Sequence, residues 1–416
     1  MRRYRLASPR GRNKRLRGLH EVTTRGRFTE RLSLADAWAW LDACPDLSGS
    51  EPALLDQIFG RVLAVPLVFP EDRPDRDVAL VDGYAVQAES TLGASAYNPL
   101  LLTIVPKGME LAVGSASVCH AGETLPRGAD AVLPLEAGEV AGTALAVCDA
   151  AARWTGIGRK GQAARRDDVA IAAGRRLGGP QIALAASLGR THLSVRRRPD
   201  VAVVLAGAKP PANEALGMAL SALVARDGGQ VRLLSGDGGV MRGLADATAA
   251  DLVLLVGRSG WGEDDDAVTA IAATGGRIDH HGFALTPGGS AGLGWLGGAP
   301  LLLLPGDPLS ALVSYELLAG RLLRRLAGRA SDWPCGVRQL TLSRKIASPI
   351  GVSEWVPVVY RGLSAEPLAL APADGLAGYA KADGFLIVSA RLEGYAPGAL
   401  VDVVVTSGDT ATQDGP

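Results

Sequence analysis

Leu301-Leu-Leu-Leu-Pro-Gly-Asp-Pro-Leu-Ser310 is the stretch whose reading decides the fold class of this 416-residue chain. Four consecutive leucines leave no polar face, so the spacing predicts a strand buried on both sides. Pro305-Gly306 turns the chain, Asp307 suits a helix N-cap, and Pro308 suits the first helical position. A long helix is then expected over Pro308–Leu326. The same alternation runs upstream. Val201–Leu205, Gln230–Leu234 and Asp251–Val256 read as strands, and Glu214–Arg226, Met241–Ala249 and Asp266–Thr274 as helices. Apolar strands alternating with amphipathic helices predict a parallel sheet covered on both faces. Ligands of such sheets bind at the carboxyl ends of the strands. The loops to watch are Ala206–Pro211, Gly257–Asp265, Thr286–Ser290 and Pro305–Pro308.

The flanks read differently. Ser33 is placed to cap a helix reaching Cys44, and a second helix is expected over Pro52–Leu63. From 67 to 150 short apolar runs separated by Gly, Pro and Asp predict a small β domain. Residues 153–198 return to turns and one helix near Pro180–Leu188. Residues 335–406 read as a second small β unit, a barrel or sandwich.

Composition narrows the function classes. Lys plus Arg and Asp plus Glu are both 43, so the mean charge gives no sign of a nucleic-acid partner. The balance is uneven: residues 1–31 hold 11 basic side chains and two acidic ones, leaving 32–416 at net −9. That leader has no apolar run for a secretory signal and is expected to be a disordered extension. No stretch approaches 18 apolar residues, so no membrane span is expected. Four scattered cysteines without a CxxC favour a reducing, cytoplasmic setting. His280 and His281 are adjacent, so a strand would point them to opposite faces and they would not share a metal. Only six lysines occur, and codon bias towards arginine is the simplest reason.

Three motifs could carry chemistry. Pro305-Gly306-Asp307 with Ser310 could present backbone N–H groups to a phosphate, although a carboxylate at the cap competes with that anion. Gly257-Arg-Ser-Gly-Trp-Gly262 is a glycine-rich strand–helix loop suited to an anion, and lacks the lysine of a P-loop. The acids after it, Glu263 to Asp266, either favour the helix N-terminus or hold Mg²⁺. Val81-Asp-Gly-Tyr-Ala-Val86 reads by itself as a turn.

In order along the chain, these motifs resemble the molybdopterin molybdotransferase, or molybdenum insertase, family, which includes the gephyrin C-terminal domain. The resemblance rests on Asp82-Gly-Tyr-Ala-Val86, Gly128-Ala-Asp-Ala-Val132, the glycine loop and Leu304-Pro-Gly-Asp-Pro-Leu-Ser310. Phe59-Gly-Arg-Val-Leu-Ala64, Ala186-Ser-Leu-Gly189, Arg198-Pro199 and Ala382-Asp-Gly-Phe-Leu-Ile387 agree with it. It implies a multidomain α/β plus β architecture. A helical linker domain (32–66 and 151–198) would carry an inserted β domain (67–150). A parallel-sheet α/β molybdopterin-binding domain (199–330) and a C-terminal β-barrel (335–406) would follow. It further implies a cytoplasmic homodimer with a cleft shared between the two copies. There adenylylated molybdopterin is hydrolysed with Mg²⁺ and molybdate, releasing AMP and molybdenum cofactor.

Carried over position by position, the resemblance assigns Asp82 and Asp265 as catalytic and Asp265 as the Mg²⁺ ligand. Pterin and phosphate binding falls to Gly257, Arg258, Ser259, Gly260, Gly262, Pro287, Gly288, Pro305, Gly306, Asp307 and Ser310. Several family groups are missing. Lys-Pro-Gly-Lys-Pro reads Thr286-Pro-Gly-Gly-Ser290, so both lysines are lost. Ala208 stands at an Asp position, Arg159-Lys-Gly-Gln-Ala163 lacks two acids, and Asp307 replaces Asn. Such losses predict impaired turnover, because each preorganised electrostatic donor contributes about 3–4 kcal/mol to the transition state. Arg258, Lys160 and Lys209 are the replacement cations on offer, with Arg258 on the right loop. Three readings stay open: a divergent active insertase, a pterin-binding scaffold or carrier without the chemistry, and a paralogue without ligand. A scaffold would serve a molybdoenzyme, a molybdopterin adenylyltransferase or an active insertase.

Overall fold

The computed structural model describes residues 31–206, 212–235, 239–260, 265–369 and 375–406. Residues 1–30 of the expected leader, Ala208, Lys209, Trp261, Gly262, Glu263 and Asp264 lie outside the described residues.

The central sheet has six strands in the order Gln230–Ser235, Asp200–Leu205, Leu252–Val256, Ala299–Leu304, Gly292–Leu296, Arg277–His281. The first four are parallel; Gly292–Leu296 runs against them, and Arg277–His281, antiparallel to Gly292–Leu296, runs in their direction again. The expectation of a purely parallel sheet is corrected by one turn. Gly297 and Gly298 have φ of 59° and 88°, and join Leu296 directly to Ala299 across the antiparallel pair. A two-residue turn with both φ positive makes a hairpin, and Gly-Gly supplies it without strain.

The strand Leu252–Val256 is buried along its whole length. Leu252, Leu254 and Val256 face one core, and Val253 and Leu255 the other. This period of two, with both faces covered, explains the absence of polar residues. The helix Ala212–Asp227 and the long helix beginning at Pro308 contribute to the first core; Val240–Ala247 and Ala267–Ala273 cover the second. The long helix runs as Pro308–Ser314, a π-helical turn Tyr315–Ala319, and Gly320–Leu326.

The first helix is Leu34–Ala43, and the Ser33 hydroxyl accepts the Asp36 N–H at 3.1 Å as its cap. Its burial partners differ from the expected linker. Leu34, Ala37 and Leu41 join the core of the α/β sheet, and the Trp38 indole donates to the Leu317 carbonyl at 2.8 Å. Arg321 and Arg325 of the long helix pair with Asp42 and Asp46.

The helix expected over Pro52–Leu63 is absent. Ser50–Leu54 is a strand, followed by a 3₁₀ turn Leu55–Gln57. Its partner is His192–Arg196, antiparallel and about 140 residues away, with Leu54 opposite His192. Tertiary pairing overrides local helical preference, and a two-stranded ribbon is all edge, which tolerates Pro52. Leu67–Val68 with Val169–Ile171 and Val78–Ala79 with Ile157–Gly158 add two more strand pairs, each joining the start of the expected β domain to the segment read as turns. The helix Gly179–Ser187 stands beside them.

Between the ribbons lies a second six-stranded sheet, order Ala131–Pro134, Gly83–Val86, Ser115–Cys119, Leu100–Ile104, Ala144–Val147, Gly138–Ala141. The third sheet closes on itself. Ser353–Arg361, Ser364–Pro367, Val337–Leu342, Leu400–Val405 and Gly384–Val388 form a five-stranded barrel, closed by the pairing of Ser353–Arg361 with Gly384–Val388. Leu285–Thr286 adds to it in parallel with Ser353–Glu354, so a strand of the α/β region is stitched to the barrel wall.

Candidate functional site

The strand Leu252–Val256 ends at Gly257, whose N–H donates to the Leu304 carbonyl of the neighbouring strand at 2.9 Å. Two loops therefore leave the sheet side by side. Gly257 has φ of 96°, and a Cβ on Gly306 would come within 3.2 Å of the Gly257 Cα. Glycine is required at this crossing both by backbone conformation and by close approach.

Beyond Gly257 the chain is held from below. Arg258 adopts φ of 55°, unusual for a side-chain-bearing residue. Ser259 is 4% exposed, and its hydroxyl lies 3.1 Å from that of Ser290. His281 donates Nε2–H to the Ser259 carbonyl at 3.0 Å. Burial lowers the His281 pKa below its usual 6.5; the Ser259 and Ser290 backbones and the Asp265 charge pull the other way. The imidazole is neutral at pH 7 and fastens the loop at 257–260 near the loop at 286–290. Asp265 turns its carboxylate towards Gly260, where an added Cβ would meet Oδ2 at 2.7 Å.

The second loop is as constrained. Gly288 has φ of 117°, and a Cβ there would meet the Ser314 hydroxyl at 2.8 Å. Ser314 is fully buried, and its Oγ has no hydrogen-bond partner. The Phe283 N–H donates to the Gly289 carbonyl at 2.9 Å, closing the loop.

The third loop confirms the capping role of Asp307. Its Oδ1 accepts the Ser310 N–H at 2.9 Å, with Pro308 at the helix start. The carboxylate thus occupies a backbone donor that an anion would otherwise use.

The structure brings together Gly257, Arg258, Ser259, Gly260, Asp265, Pro287, Gly288, Pro305, Gly306, Asp307 and Ser310 at the carboxyl ends of two neighbouring strands and the adjoining loop. Asp82 stands elsewhere, just before Gly83–Val86 of the inserted sheet, and accepts the Ala121 N–H at 2.8 Å with His120 Nδ1 at 3.6 Å. Gly83 is not the turn that Asp-Gly suggests. It is a strand residue pressed against the Leu133 carbonyl, which leaves no room for a Cβ.

Among the described residues of the three loops, Arg258 is the one basic side chain. Its Nε lies 2.8 Å from Asp266 Oδ1, so its charge is already matched. Lys160 lies 3.6 Å from Asp72, on the ribbon segment. No group of three or more His, Cys, Asp or Glu side chains among the described residues could hold a metal ion. His281 and Ser290 were missed as site residues by the sequence reading. The available signal was the strand alternation, which sends one of His280 and His281 inward.

The MoeA N-terminal region (domain I and II) matches residues 32–189, and the MoeA C-terminal region (domain IV) matches residues 339–406. Molybdopterin molybdenumtransferase 2 of Mycobacterium tuberculosis is 30% identical over 325 residues, covering 71% of this chain and 80% of that protein. The chain belongs to the MoeA family of molybdenum cofactor biosynthesis proteins. A second relative of this MoeA chain is a putative molybdopterin biosynthesis protein of Methanocaldococcus jannaschii, 25% identical over 375 residues, 83% of this chain and 90% of that one. The fold of this MoeA chain also matches a crystal structure of the molybdopterin biosynthesis MoeA protein from Pyrococcus horikoshii. The TM-score is 0.77 at 28% identity, covering 91% of this chain and all of that one. No described helix is long and apolar enough to cross a membrane.

Proposed function

We propose that this MoeA chain binds molybdopterin, free or adenylylated, on the loops at 257–260, 286–290 and 305–310. We further propose that it releases AMP and inserts molybdate far more slowly than a family member with both loop lysines. One observation carries this reading: the loops converge with their glycine crossing intact, while their one described cation is held by Asp266. Binding needs the shape of the cradle and its backbone donors. Cleaving a phosphoanhydride also needs positive charge aimed at the developing anion. Ser259, Ser290 and the backbone would hold the phosphate, and His281 would keep two of the loops in register.

Mg²⁺ would be held by Asp265 and by phosphate oxygens of the substrate, a mode common where proteins supply one or two carboxylates. The metal would neutralise charge on the anhydride. We place Asp82 as the acid contributed by a second copy in a homodimer, and the protein in the cytoplasm, consistent with its four free cysteines.

The test is to incubate the purified protein with adenylylated molybdopterin, Mg²⁺ and molybdate, measuring retained pterin and released AMP separately. Retained pterin with little AMP is the expected outcome. AMP release at the rate of a lysine-containing family member would overturn the slow-turnover reading, and no retained pterin would overturn binding.

A further inference from the structure

At the opposite end of the α/β sheet from these loops, guanidinium groups gather around Gly60. Arg329 follows the last helical turn Gly320–Leu326 and donates to the Gly60 carbonyl at 2.8 Å and to the Arg226 carbonyl at 2.7 Å. A Cβ on Gly60 would lie 3.6 Å from Arg176 Nη2 and 3.8 Å from Arg329 Nη2. Two guanidinium groups therefore approach the same side of one glycine. Phe59, Gly60, Gly174, Arg175, Arg176 and Gly178 line an open cavity here. The helix Gly179–Ser187 begins at its edge.

Neighbouring charges are already matched without these arginines. Arg61 pairs with Glu51, Arg197 with Asp251, and Arg226 and Arg324 with Asp227 and Glu316. Among the described residues, Arg175, Arg176, Arg198 and Arg329 have no ion-pair partner within 4 Å. Burial, reinforced by Arg176, Arg198 and Arg61 against the attraction of Asp227, brings Arg329 down to about 10. A body of net −9 does not concentrate unmatched guanidinium groups through its average composition, and their mutual repulsion is relieved by a bound anion. Phe59 is 72% exposed on the same wall and offers an apolar face to whatever carries that anion.

We infer that the cavity lined by Phe59, Gly60 and Arg176, with Arg329 beside Gly60, is a second anion site, which takes a phosphate-bearing small molecule, its phosphate shared by the two guanidinium groups and its organic part resting on Phe59. The site is independent of the pterin reading, because it lies at the amino ends of the strands, where Asp200 and Gln230 begin.

The test is calorimetric titration of the full chain at low salt with inorganic pyrophosphate and, separately, ADP. Both should bind. Arg176→Gln, a change at an exposed side chain, should weaken both at least tenfold while leaving the melting temperature unchanged, and Arg329→Lys should weaken both. Phe59→Ala should weaken ADP and spare pyrophosphate. Gly288→Val, which blocks the loop at the other end of the sheet, should leave both affinities within twofold. No binding of either probe, or pyrophosphate affinity in Arg176→Gln within twofold of wild type, would overturn the proposal. Loss of binding in Gly288→Val with Arg176→Gln unaffected would also overturn it, by moving the anion to the pterin loops.

Discussion

The two ends of the α/β sheet handle charge in opposite ways. At the carboxyl ends, where the family resemblance calls for two lysines, stand Thr286 and Gly289. The remaining Arg258 is matched by Asp266. Towards the amino ends, charge is dense and enclosed. Arg226 grips Glu316 through two hydrogen bonds of 2.7 and 3.0 Å. Arg324 lies 3.1 Å from Asp227, which also accepts the Tyr315 hydroxyl at 3.1 Å. Asp227, Glu316 and Arg324 are 0%, 2% and 2% exposed. The difference separates what the fold needs from what the chemistry needs. A buried network cannot lose a member without leaving an uncompensated charge. A solvent-facing loop can lose a lysine at little cost to folding.

That contrast can be broken by experiment. The largest effect is expected at the enclosed end: Glu316→Ala should leave Arg226 and Arg324 to share Asp227, with one positive charge uncompensated, and cost about 3–5 kcal/mol in denaturant unfolding. A loss below about 1 kcal/mol would show that the network is not structural. At the open end the strongest change is a gain. Thr286→Lys with Gly289→Lys should raise AMP release from adenylylated molybdopterin by about 10²-fold, the scale of a restored electrostatic donor. The Gly289 Cβ would lie 3.3 Å from the Leu285 carbonyl, a tight but adjustable fit. Unchanged AMP release in a folded, pterin-binding variant would mean that missing charge is not what limits turnover.

A smaller effect separates cap from ligand. Asp307→Ala should cost about 1 kcal/mol of stability through the lost N-cap, whereas Asp307→Asn should keep the cap. The Asn variant should also bind pterin more tightly, since a negative charge beside the phosphate is gone; weaker pterin binding would assign the carboxylate a positive role. The smallest effect follows from His281. Its folded pKa is lower than its unfolded value, so the unfolded chain binds the extra proton first as pH falls. Stability should be unaffected above the usual 6.5 and decline as pH drops through that value towards the depressed one. His281→Asn should flatten the decline, as measured by melting temperature between pH 7.5 and 5.

Sequence patterns revealed the parts of the fold whose cause is local. Leu252–Val256 and Ala299–Leu304 are apolar because two layers cover them, and Ser33 and Asp307 announce their helices through a side-chain oxygen. What escaped depends on distant pairing. Pro52–Leu63 has helical spacing, yet its partner strand is His192–Arg196, and no local signal encodes that pairing. The Gly297-Gly298 hairpin was legible in principle and was overridden by the expectation of crossover helices. At the site, glycine positions were readable because backbone conformation leaves a mark on residue type. The His281 bond to the Ser259 carbonyl was not, since it joins residues 22 apart in sequence.

The two-residue strand Leu285–Thr286, paired with Ser353–Glu354 of the barrel, removes slack from the middle of the molecule. Glycine-rich loops usually drift because nothing anchors both ends. Here one end of the loop at 286–290 is sewn into a closed cylinder while the other runs into the sheet through Gly292–Leu296. The barrel thereby acts as a distant clamp on a loop it does not itself form. A cut chain that ends near residue 335 would free one jaw of that clamp while leaving every loop residue in place.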